Sequence, residues 1–159
     1  LKMKKQNNKT ALVYAVDLLA VRSYSEKQLV DKLKRRGYDE MEIAQVMERL
    51  ISRHYIDDSD LCQRQYSAYI NEGKRSIKAI LYKLKEKGFS STDIENARVE
   101  NEVDTDEYEY RVCLKLLVAH FKPTAERQKC QAYLYRKGFN FSAIRNAVDD
   151  FFSEEELYI

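Results

Sequence analysis

Three of this chain's four glycines stand at the same place in a pattern that is written three times. In its clearest copy, residues 76–97, Ile77, Ile80, Leu81 and Leu84 fall at i, i+3, i+4 and i+7, the spacing of one helix face. Lys85 and Lys87 follow near the helix end, where positive charge suits unpaired carbonyls. Gly88 then supplies a left-handed residue that closes the helix without a Cβ clash. Phe89 comes next, one of Ser90, Ser91 or Thr92 caps a further helix, and Ile94 begins its apolar face. The matching residues are Leu29, Leu33, Gly37, Tyr38, Ile43 and Val46 in an earlier copy. In a later copy they are Cys130, Leu134, Gly138, Phe139, Ile144 and Ala147. The glycines lie about 50 residues apart, a period within the range of helical arrays. We read an internal triplication of a helical unit.

Such an array buries its apolar surface against successive neighbours and extends instead of rounding up. One proline and four glycines leave little material for β-hairpins. The expected fold is all-α, about nine helices in three tandem three-helix repeats, elongated and curved. The expected divisions are a flexible basic leader over 1–10 and repeats over 11–54, 55–103 and 104–159, the last with a solvated acidic tail at 154–156. In the first repeat, Leu12, Ala15, Val16 and Leu19 share one helix face, and Ser25 with Gln28 forms a capping box for the second helix. Ile43, Val46, Met47, Leu50 and Ile51 stripe the third. The second repeat opens at Tyr55-Ile56-Asp57-Asp58, and its first helix, about 59–72, buries Cys62, Tyr66, Tyr69 and Ile70. Its third helix is predicted to be short, because Glu100 and Asn101 stand where apolar residues are due. In the third repeat an acidic run, 104–109, leads into a helix with Tyr110, Cys113, Leu114 and Leu117 inward. Pro123 and Thr124 mark the start of the next helix. Ile144, Ala147, Val148, Phe151 and Phe152 complete the last.

A hydrophobic content of 44% with 34% charged residues fits a folded chain and excludes wholesale disorder. The net charge of +2 is far from the strong excess of a dedicated nucleic-acid binder. By thirds, residues 1–53 hold 12 Lys or Arg against 7 Asp or Glu, 54–103 hold 8 against 9, and 104–159 hold 8 against 10. The first third is therefore the basic one. Cys62, Cys113 and Cys130 are odd in number, lack C-x-x-C spacing and lie on or beside apolar faces, as reduced core thiols do. No apolar run has the length of a bilayer span.

Chemistry needs converging groups, and the sequence supplies none. His54 and His120 have no i+4 partners, no phosphate-cradling glycine motif occurs, and Asp57, Asp58 and Asp60 lack calcium-loop spacing. That acidic cluster reads as a helix cap and first turn. No catalytic, cofactor-binding or metal-ligating residue is therefore assigned, and no cofactor is expected. What remains are basic clusters, Lys32, Lys34, Arg35 and Arg36, then Lys74, Arg75 and Lys78, then Lys83 and Lys85. They could line a groove that tracks phosphates, or form solvated helix faces. Most of the twelve tyrosines sit on apolar stripes or after the glycines, so core packing is expected for them.

Taken together, these residues resemble the RecX family of bacterial recombination regulators. The resemblance rests on Leu18-Leu19, Arg22, Ser25, Leu29, Leu33 and Gly37, and continues through Tyr55-Ile56-Asp57-Asp58, Gly73, Ile77, Leu81, Lys87-Gly88 and Ile94. It spans about 11–152 and is sharpest over 55–88. Leu61-Cys62 stands where the family commonly has Phe-Ala, and Tyr69-Ile70-Asn71-Glu72 where it tends to be arginine-rich. Lys74, Arg75 and Lys78 are then the nearest basic candidates.

The resemblance implies a non-enzymatic, cytoplasmic protein, expected as a monomer, that binds the RecA filament on single-stranded DNA. It would lodge in the filament groove and block extension or promote disassembly, lowering RecA activity in recombination and repair. The nine basic residues above are the expected contact surface for RecA or DNA. The alternative is a helical module acting directly on single- or double-stranded DNA, suggested by the basic first third and the lysine-rich second helices.

Overall fold

The computed structural model describes residues 9–156, with side chains for 9–153. Among the described residues there are nine α-helices and no strand. The first unit comprises α1 (Ala11–Val21), α2 (Glu26–Arg36) and α3 (Glu40–Ser52). The second comprises α4 (Asp58–Glu72), α5 (Ile77–Glu86) and α6 (Ser91–Glu100), and the third α7 (Thr105–His120), α8 (Arg127–Arg136) and α9 (Phe141–Glu156). Each unit encloses its own apolar cluster. The accessible surface is 11279 Å². A compact chain of this mass exposes roughly 8300 Å², so the array is extended.

The repeated pattern folds three times into one motif. The central helix of each unit buries a pair four residues apart, Leu29 and Leu33, Ile80 and Leu84, Cys130 and Leu134, all at 0% exposure. Burying a leucine of this kind stabilises the fold by about 1.5–3 kcal/mol. Each helix closes on a left-handed glycine, with φ of 98° at Gly37, 91° at Gly88 and 90° at Gly138. The next residue's N–H then reaches back to the buried leucine's carbonyl: Tyr38 to Leu33, Phe89 to Leu84 and Phe139 to Leu134. Side-chain caps open most of the helices, including the predicted Ser25–Gln28 capping box and Ser90 at the head of α6. Each such cap is worth about 1 kcal/mol.

Several expectations change. Val16 is exposed, and Ala11 and Ala15 form the buried edge of α1, their small side chains letting the helix lie close to its neighbours. Ile51 is mostly outside the α3 stripe at 38% exposure. Leu61 is buried beside Cys62 and Tyr66, while Tyr69 and Ile70 are only half-buried. In α7, Val112 is buried with Cys113 and Leu117, while Tyr110 and Leu114 are half-buried. Helix α8 starts at Arg127, not at Pro123–Thr124, which lie in a turn where the Ala125 N–H meets the Lys122 carbonyl. Its N-cap, Glu126, makes no side-chain cap bond. Helix α9 continues to Glu156, so residues 154–156 extend a helix, and their side chains lie outside the described residues. Residues 1–8 of the predicted leader also lie outside them, and Lys9 pairs with Asp17 at 2.6 Å. The third helix of unit two is short, as expected, at 10 residues against 13 for α3 and 16 for α9.

The units meet through a polar junction that is built twice. Helix pairs in extensive contact all lie within one unit. Between the first and second units, the Ser25 hydroxyl donates to the Lys87 carbonyl, and the Glu26 N–H donates to the Asp58 carboxylate at 3.0 Å. Between the second and third, the Ser76 hydroxyl donates to the Lys137 carbonyl at 2.8 Å, and the Ile77 N–H to the Glu109 carboxylate at 3.2 Å. The N-terminus of α2 thus sits on the C-terminus of α5, and the N-terminus of α5 on that of α8. The three central helices therefore meet end to end, α8 to α5 to α2, as a column.

Candidate functional site

The column separates the charge of the molecule. Helices α2, α5 and α8 carry 11 Lys or Arg against 3 Asp or Glu, a net of +8 in a chain whose total is +2. The leading helices α1, α4 and α7 net −4, and the trailing helices α3, α6 and α9 net −8. Dividing the sequence into thirds hides this pattern, because each third contains one helix of every kind. Summing charge by helix position within the repeat reveals it. Basic last turns on α2, α5 and α8 also complement the helix dipoles.

The structure places seven of the nine predicted contact residues on the column. Lys32, Lys34, Arg35 and Arg36 lie on α2, and Lys78, Lys83 and Lys85 on α5. Lys32, Lys34, Arg35, Lys78 and Lys85 are exposed, and Lys83 is half-buried. Arg36 stacks over the Tyr14 ring at 4.4 Å. Lys74 and Arg75 belong instead to the α4–α5 connection, where both pair with Glu72, at 3.5 and 2.9 Å. Arg75 also lies over the Tyr69 ring, and its carbonyl accepts from the Tyr108 hydroxyl at 2.8 Å. Arg75 is thereby tied into the fold, whereas Lys74 remains largely exposed.

The sequence reading missed two groups. One is the cations of the third unit, Arg136 on α8 and Arg145 on α9. The other is the junction carboxylates. Glu109 lies in a run that looks solvated, yet it is 3% exposed and accepts from the Ile77 N–H, the Asn140 N–H and the Asn140 side-chain amide. Burial raises its pKa from the ordinary glutamate value, against the opposing pull of the two backbone donors. Asp58 is shifted the same way, again by burial first. Both carboxylates precede a buried cysteine by four residues, Asp58 before Cys62 and Glu109 before Cys113, so aligning the leading helices would have paired them.

Nothing in the geometry assembles a reactive centre from the described residues. Burial pushes the Cys62 thiol to about 11 and the Cys113 thiol to about 12, and Cys130 also upward, so none is a ready nucleophile. No group of three or more His, Cys, Asp and Glu is arranged to hold a metal among the described residues. His54 is exposed in a left-handed conformation, and His120 is exposed beside the Tyr133 ring. No helix is long and apolar enough to cross a membrane among the described residues.

The fold defines a class, three-unit arrays of three-helix domains, and in this chain the central column is basic. Residues 11–50 match the RecX first three-helix domain, and residues 107–148 match the RecX third three-helix domain. The chain belongs to the RecX family. It is 28% identical over 151 residues to the regulatory protein RecX of Chlorobium phaeobacteroides, covering 92% of this chain and 96% of that one. It is also 28% identical to the regulatory protein RecX of Caldanaerobacter subterraneus, covering 89% of this chain and 70% of the relative. A crystal structure of a regulatory protein RecX superposes with a TM-score of 0.75 at 26% identity, covering 87% of this chain and 71% of that one. RecX from Lactobacillus salivarius shares the fold, with a TM-score of 0.70 at 21% identity, covering 89% of this chain and 94% of that one.

Proposed function

We propose that this chain is a non-enzymatic regulator that binds the RecA filament on single-stranded DNA and lowers RecA activity by blocking extension or promoting disassembly. Family membership supports the regulatory role. The observation that carries the physical side is the basic column, which offers a net of +8 along three consecutive units. A polymer of repeating subunits and phosphates presents matching sites at intervals, and three modest contacts on one chain combine through effective concentration. Complementary charge then sets encounter and register more than raw affinity. On this reading the protein acts in the cytoplasm as a monomer.

The test is ATP hydrolysis by the cognate RecA on single-stranded DNA with this protein titrated in. Inhibition at less than one protein per RecA is the expected result, and a variant with Lys32, Lys34 and Arg35 replaced by Glu is expected to inhibit at least tenfold more weakly. A RecA reaction indifferent to the added protein overturns the proposal.

A further inference from the structure

Where the second and third units meet, the column carries aromatic rings on its outside. Tyr82 on α5 is 63% exposed, Tyr135 on α8 is 62%, and Phe141 at the start of α9 is 78%. A core role is expected for most tyrosines, and these two are exceptions that stand on the solvent side of their helices. Tyr135 is the shared wall of two open hollows, of about 500 and 600 Å³. Tyr82 lines the first, Phe141 lines the second, and the Tyr135 and Phe141 rings lie 5.8 Å apart. The three rings therefore form one strip crossing the junction of two units.

The charge around the strip has a single sign. Lys78, Arg136 and Lys137 line the first hollow and Arg145 the second, and among the described residues neither hollow is lined by an Asp or Glu. Lys78, Arg136 and Arg145 are exposed, and none of the three forms an ion pair among the described residues. A hollow elsewhere on the third unit shows the opposite, with Asp106, Glu107, Asp149 and Asp150 in its wall. Exposed flat rings cost the free protein contact with water, and unpaired cations beside them select an anionic occupant. An occupant that supplies flat apolar faces and regularly spaced negative charge satisfies both demands. Single-stranded nucleic acid does so, because every base has a stacking face and every step carries a phosphate.

We propose that the Tyr82–Tyr135–Phe141 strip seats single-stranded DNA, with bases stacking on Tyr135 and Phe141 and phosphates lying against Lys78, Arg136 and Arg145. The proposal does not rest on regulation of RecA, and its experiment contains no RecA, so either reading can fail alone.

The experiment is fluorescence anisotropy of a labelled twenty-residue oligothymidylate with the full chain at low salt. Tyr135→Ala and Phe141→Ala are each expected to weaken binding about tenfold. Arg136→Gln is expected to weaken it and to flatten its salt dependence. An abasic strand of equal length is expected to bind the unsubstituted protein at least tenfold more weakly. The rings are exposed, so helical content should survive, and circular dichroism of each variant checks that. Phe141→Trp gives a second readout in a chain without tryptophan, since a stacked base should quench its emission. Equal binding of abasic and thymidine strands, or no quenching on saturation, overturns the proposal. Strip variants that bind DNA normally but lose a response to a protein partner overturn it too, and make the strip a protein-docking surface.

Discussion

The two junctions share a plan but differ in how firmly it is built. At each, a serine hydroxyl meets the carbonyl before a glycine, and a carboxylate takes the first N–H of the central helix. Between the first two units that carboxylate is Asp58, half-buried, with one donor from across the junction. Between the last two it is Glu109, buried, with one donor from across the junction, the Ile77 N–H, and two more from Asn140 within its own unit. Tyr108 reinforces the second junction, packing against both apolar clusters while its hydroxyl meets the Arg75 carbonyl. The comparison teaches that both junctions carry one carboxylate bond across them. The first adds the Lys27 ammonium, donating to the Glu86 carbonyl at 3.4 Å, and the second is made firmer by burial of its carboxylate and by Tyr108. The aromatic strip lies across the firm junction, where two hollows can keep a fixed relation.

Replacing Glu109 should show this most strongly. Glu109→Ala leaves one buried donor, the Ile77 N–H, and two part-buried donors of Asn140 without their acceptor, a buried one costing about 1–3 kcal/mol if unpaired. A net loss of about 3–4 kcal/mol is expected by chemical denaturation, against about 1–2 kcal/mol for Asp58→Ala. Equal losses would erase the distinction between the junctions.

The glycines come next. All three have positive φ, so any side chain costs about 1–2 kcal/mol. A Cβ on Gly88 would lie 2.4 Å from the Lys27 Cβ, whereas one on Gly37 meets nothing within 4 Å. Gly88→Ala is therefore expected to cost about 1–3 kcal/mol more than Gly37→Ala. Matching melting temperatures for the two variants would show that the Gly88 contact relaxes freely.

The smallest effect is one of pH. Because burial raises the pKa of Glu109, the folded chain keeps this proton at a pH where the unfolded chain has released it. Its contribution is full below the ordinary carboxylate value and is lost as pH rises through the folded value. The unsubstituted protein should therefore lose stability relative to Glu109→Gln as the pH is raised from the ordinary carboxylate range toward neutrality. A difference independent of pH would mean that the donors cancel the effect of burial, and one that grows in favour of the unsubstituted protein would mean that they outweigh it.

The triplication, the glycine stops and most of the core were legible in the sequence because each depends on residues only a few positions apart. Helical spacing of Ile80 and Leu84 states its own burial, and Gly88 states its own turn. Glu109 was illegible for the opposite reason: its neighbours Asp106 and Glu107 are exposed, and its partners Ile77 and Asn140 lie about thirty residues away on either side. The start of α8 was misplaced because proline usually opens a helix, whereas here Pro123 lies in the turn before it. The basic surface was half legible. Runs such as Lys34-Arg35-Arg36 announce themselves, but Arg136 has only Lys137 beside it and Arg145 stands alone in sequence, and the two come onto one surface through the packing of α8 and α9.

The column also has a direction opposite to that of the chain. Ser25 is completed by the carbonyl of Lys87, and Ser76 by that of Lys137, so each partner lies some sixty residues later in the sequence. During synthesis a ribosome delivers the first unit before the residues that latch it exist. The first unit can form its own core, but the head of α2 waits in solvent until the second unit has folded beneath it, and the head of α5 waits for the third. The array is thus fastened from behind, each unit by the next to emerge, and the firmer of its two latches is the last to close.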